Sequence, residues 1–166
     1  MITLTTIDIV LTLIPLALGT AGALHCPVDP SLGDNVPFRP SPIAFRVIWP
    51  VLFIFTGTAF AKAPRTPTNI AAYLLLSVLL SAWLFVSNSV CNEGLTNTLK
   101  QITNTNDISI DPDSGSMYII VASVMAAFLA FGLHPTPLLA PLISWLLFAQ
   151  VLGAAAVMQK KRRGRE

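Results

Sequence analysis

Five apolar segments, residues 7–24, 43–61, 70–86, 117–133 and 138–158, constrain this chain more than any other feature. Each approaches the ~20 residues that an α-helix needs to cross the hydrocarbon core of a bilayer. Lipid offers no partner for a bare N–H or C=O, so an apolar stretch of that length must pair its backbone within itself, as a helix. The expectation is an all-α integral membrane protein, a five-transmembrane-helix bundle in a single membrane domain over residues 1–166. Charge supports it: 11% of the chain is Asp, Glu, Lys or Arg, whereas a soluble domain carries about 25%.

The first segment carries Asp8 at its start and Pro15 in its middle. A signal peptide competes with a retained helix, because Ala21-Gly22-Ala23 matches a cleavage site. The first ten residues hold no Lys or Arg, however, so the basic leader is missing and a retained helix is expected. Gly19 and Gly22 in the first segment, Gly57 and Ala61 in the second, and Ala122, Ala126 and Ala130 in the fourth offer thin faces for close helix contact. The same faces would serve a homodimer. Residues 88–116 form a polar connection rich in Asn, Thr and Asp without clear periodicity, and 159–166 a basic tail.

Five crossings put the termini on opposite sides. Basic residues then fall as Arg39, Arg46, Lys100, Lys160, Lys161, Arg162, Arg163 and Arg165 on the tail side, against Lys62 and Arg65 on the other. The positive-inside rule makes the C-terminus cytoplasmic, with the tail holding that side rather than binding nucleic acid. Cys26 and Cys91 share this side, which would be reducing, so free thiols are expected. Neither cysteine has the neighbours of a metal site.

Residues 37–53 are the most structured stretch of sequence. Pro37, Pro40 and Pro42 stiffen an extended entry that carries Arg39, and Pro42 or the residue after it suits the first helical position. Phe45, Trp49 and Phe53 then recur every four residues on one helix face, with Arg46 beside them. Such a stripe under a basic lip suits a flat, apolar molecule bearing negative charge. The same pattern also describes an interfacial aromatic belt with snorkelling arginines.

The spacing Pro40-x-Pro42-x-x-Phe45-x-x-x-Trp49-x-x-x-Phe53 resembles the second-helix signature of the TspO/MBR family, the tryptophan-rich sensory and translocator proteins. Pro141-Leu142-Ile143-Ser144-Trp145 is similar to the family's fifth-helix Pro-Tyr-x-x-Trp, and Trp83 to its third-helix Trp. Departures accompany the likeness. Leu80 and Gly153 stand where the family carries Asn, and Ile43 or Ala44 replaces a Trp. No Tyr precedes the basic tail as it does in the animal members' sterol pattern. The resemblance implies a five-helix bundle, often dimeric, with a cavity opening toward the first connection. It implies a bound porphyrin or other tetrapyrrole, or a sterol, rather than an obligatory cofactor. Phe45, Trp49, Phe53, Trp83 and Trp145 would line that cavity. Charge and position add Arg39 and Arg46 as partners for ligand carboxylates.

Ordinary enzyme chemistry has no foothold: the sequence offers no Ser/His/Asp set, no paired intramembrane carboxylates and no metal-ligand spacing. Pigment-driven porphyrin breakdown, which some bacterial members promote, would need none of these. The expected function is therefore a membrane ligand-binding or sensory protein for a flat apolar molecule. The alternative is a structural or assembly subunit whose aromatics simply pack.

Overall fold

The computed structural model describes residues 5–26, 36–105, 107, 109 and 112–163. Among the described residues six helices follow one another: α1 (Thr6–His25), α2 (Pro42–Lys62), α3 (Pro67–Ser87), α4 (Ser89–Thr103), α5 (Pro112–Leu133) and α6 (Ala140–Arg163), with a 3-10 turn at Pro137–Leu139 before α6. No strand occurs among the described residues. Five of the helical stretches are long and apolar enough to cross a membrane, and the chain is an integral, multi-pass membrane protein with the expected all-α five-helix bundle.

Local chemistry sets the helix starts. The Thr5 hydroxyl accepts from the Asp8 N–H while the Asp8 carboxylate accepts from the Thr5 N–H, closing a capping box at α1. Ser41 caps α2 and Thr66 caps α3, each followed by a proline whose missing N–H costs nothing in a first turn. Asn88 ends α3 in an extended conformation and caps α4 by accepting from the Cys91 N–H at 3.1 Å. Asn104 closes α4 with φ 52°, a left-handed position that Asn tolerates better than most residues.

α3 is the most buried span. It packs along α5 on one side and α1 on another, while α1 also lies along α2 and α5 along α6. Its serines do not interrupt the apolar interior, because the hydroxyls of Ser77 and Ser81 donate to the carbonyls of Tyr73 and Ser77 within the same helix. Tight faces fall where small residues stand. Ala126, Ala127 and Ala130 are buried in the main apolar core with Leu76 and Leu80. A side chain at Gly57 would run into the backbone carbonyl of Thr12, so α1 and α2 approach to a distance only glycine permits. Gly19 lies equally close to the Phe53 ring.

Two expectations need correction. Residues 88–116 are not an aperiodic connection, since α4 occupies half of them. Asn, Thr and Lys at solvated positions hid a stripe of Cys91, Leu95, Leu99 and Ile102 that has helical spacing. The basic tail continues α6 as far as Arg163; residues 164–166 lie outside the described residues. The thiols are not free: Cys26 and Cys91 form a disulfide with 6.0 Å between their Cα atoms. The free-thiol expectation followed from a charge-based sidedness, whereas the fold brings the end of α1 against the first turn of α4.

Candidate functional site

Trp49 stands where the two apolar clusters of the bundle meet, and it packs against both. Its ring centroid lies 5.6 Å from Phe53 in a stacked arrangement and 5.5 Å from Trp83 at 31°. Trp145 meets it edge-on at 6.4 Å. Phe45 in turn meets Trp145 edge-on at 5.5 Å, and Phe148 lies 5.6 Å from Trp145 on its way to Phe38 at 6.5 Å. These distances are those of favourable aromatic pairs. Residues from the entry segment, α2, α3 and α6 thus form one connected set of rings.

Beside the rings lies a cavity of about 70 Å³. Arg39 of the entry segment, Phe45 and Trp49 of α2, and Leu80 and Trp83 of α3 form part of its wall. The remainder comes from Ser116, Met117, Ile120 and Ser123 of α5 and from Leu146, Ala149, Leu152, Gly153, Ala156 and Val157 of α6. It sits at the end of the bundle where α2 and α5 begin and α6 finishes. The three indoles of the ring set differ in how their N–H groups are met. Trp83 donates its N–H to the buried Ser116 hydroxyl at 2.7 Å. The N–H groups of Trp49 and Trp145 are buried with no acceptor among the described residues.

Four of the seven residues picked out from sequence therefore share this wall: Arg39, Phe45, Trp49 and Trp83. Phe53 and Trp145 join the ring cluster without lining the cavity, Phe53 being committed to the core against Gly19. Arg46 is exposed on the outer face of α2 and lies off the wall. Its neighbours Ile43 and Val47 are exposed as well, so this is a lipid- and headgroup-facing surface. Sequence reasoning missed the α5 wall, and Ser116 above all. A serine at the end of a polar connection looks like a helix-start residue, and its pairing with Trp83 spans 33 positions.

Comparison of the chain with family models, characterised proteins and solved structures returns no match.

Chemically, the arrangement sets indole faces and one guanidinium-bearing residue, Arg39, around a small apolar space. Nothing on the wall is a nucleophile with a base beside it.

Proposed function

We propose that the protein is a membrane ligand-binding or sensory protein of TspO type, taking a flat apolar molecule that bears hydrogen-bond acceptors, such as a tetrapyrrole with carboxylates. The observation that carries this reading is Trp49, whose ring lines the cavity together with Arg39 and whose buried N–H has no acceptor among the described residues. An unmet buried donor costs about 1–3 kcal/mol, a cost that a ligand carbonyl or carboxylate would remove. Arg39 takes over the charge-pairing role from Arg46, which lies outside the site.

Size requires that the site open. Pockets for ligands of this class measure roughly 300–1,000 Å³, several times the present cavity. Binding must therefore displace the entry segment or the small-residue wall of α6. The same tightness favours a second reading, in which the rings are packing and the protein is a structural subunit.

Titration of purified protein with protoporphyrin separates the two. Saturable quenching of tryptophan emission, weakened by Trp49→Phe and by Arg39→Gln but not by Arg46→Gln, is the expected result. Linear quenching indifferent to all three substitutions would leave the packing reading. Arg39→Gln is also expected to weaken a dicarboxylate porphyrin more than a neutral sterol.

Sidedness is part of the proposal. Disulfides persist in oxidising compartments, and the Cys26–Cys91 bond lies at the cavity's end of the bundle. That end is therefore assigned to an oxidising compartment. This reverses the side that basic residues alone imply; charge bias is a statistical preference, whereas the bond depends on its surroundings for survival.

A further inference from the structure

We propose that α4 is an interfacial helix, lying in the plane of the membrane with its apolar stripe on the boundary between headgroups and acyl chains. Cys91, Leu95, Leu99 and Ile102 recur at spacings of four, four and three, which puts them on one face. Glu93, Asn97 and Gln101 are exposed around the remainder of the helix. A stripe of this kind needs an apolar partner. Within the bundle α4 has the end of α3 and, through the disulfide, the end of α1. Leu95 and Leu99 are half-buried, while Ile102 remains 75% exposed.

Continuity with the bilayer identifies the partner. α3 is a membrane span ending at Ser87, and α4 begins at Ser89, after Asn88 has broken the helix with an extended backbone. The span of α1 ends at His25, one residue before the cysteine that is bonded to Cys91. The first turn of α4 is thus held at the membrane boundary twice, by the chain and by the bond. The bond also turns the striped face toward the end of α1, where Leu24 is 78% exposed.

Dimensions give the alternative a different signature. Standing along the membrane normal, α4 would carry Ile102 about 16 Å beyond Cys91 at ~1.5 Å per residue. The headgroup layer is only roughly 5–8 Å deep on each side. Ile102 would then stand in water. Lying flat, it reaches acyl chains. Glu93 and Lys100 cancel, so attraction to anionic lipid is absent from the helix itself and the partner is the zwitterionic bilayer boundary.

Gln101 and Ile102 provide the test, because they are consecutive along the axis and differ mainly in face. Each is replaced by cysteine in the disulfide-bonded protein, labelled with a thioether-linked nitroxide, and placed in phosphatidylcholine nanodiscs. The expected ratio of collisions with oxygen to collisions with a water-soluble nickel chelate is severalfold higher for Ile102→Cys than for Gln101→Cys. It is expected to be unchanged when anionic lipid is included. Equal, nickel-dominated ratios at both sites would mean that α4 projects into water. A protein-buried label at 102, poorly reached by either reagent, would mean that the stripe meets protein. Dependence on anionic lipid would mean electrostatic attachment. Any of these three outcomes overturns the proposal.

Discussion

Trp83 donates its indole N–H to the hydroxyl of Ser116 at 2.7 Å, and each residue is only 7% exposed. The bond joins α3 to the first turns of α5 and fixes the indole that forms one wall of the cavity. Ser116→Ala would leave that N–H without its acceptor, and the expected loss is about 1–2 kcal/mol of stability. Ser123 is the control. Its hydroxyl donates to the Ile119 carbonyl of its own helix, so Ser123→Ala is expected to stay within roughly 0.5 kcal/mol. Thermal melts of the two variants in one detergent check the difference.

Close approach of α1 and α2 rests on Gly57. A methyl at this position meets the Thr12 carbonyl, which is backbone and cannot rotate away. Gly57→Ala must push the helices apart, with an expected cost of about 1–3 kcal/mol. A methyl at Gly132 meets nothing within 4 Å. Gly132→Ala is therefore expected to be neutral or to gain up to ~1 kcal/mol from helix propensity. Equal melting temperatures for the two variants would contradict the close contact.

Legibility differed by the range of the interaction. The spans, the start of α2 at Pro42 and the Phe45/Trp49/Phe53 stripe are local patterns that composition, proline geometry and a four-residue period carry. Ala126 and Ala130 could be picked out as a packing face because lipid leaves helices little else to associate by. Two things were not local. The Cys26–Cys91 bond spans 65 positions, and no spacing rule reports which helix ends meet. Arg39 and Arg46 are indistinguishable as charges near an aromatic stripe. Only the direction of α2 decides that the first lies on the cavity wall and the second faces outward.

The disulfide makes a prediction about sidedness and another about stability. Cells blocked with an alkylating reagent and then lysed are expected to yield protein whose migration shifts on reduction. After mild reduction of intact cells or vesicles, a membrane-impermeant maleimide should reach Cys91, the more exposed of the two, from the oxidising side. Chain entropy for a 65-residue separation corresponds to about 4 kcal/mol at most. A chain already confined to a membrane has less freedom to lose, so Cys26→Ser/Cys91→Ser should lower the melting temperature by less than that figure implies. Full alkylation before any reduction would remove both the bond and the sidedness built on it.

Gly153 offers the sharpest test of the cavity as a binding site. It lines the space, and a Cβ added there meets no atom within 4 Å. A leucine at this position would project side-chain atoms into a volume of about 70 Å³, enough to occupy much of it without striking backbone. Replacing glycine within α6 also gains up to ~1 kcal/mol of helix propensity. Gly153→Leu is therefore expected to melt no lower than the parent protein while losing saturable quenching by protoporphyrin. Gly153→Ala, which fills less, should retain binding with reduced affinity. The combination matters, because loss of binding in a protein that remains stable cannot be attributed to a damaged fold. Undiminished affinity in Gly153→Leu would place the ligand elsewhere on the molecule and leave the ring cluster around Trp49 as packing.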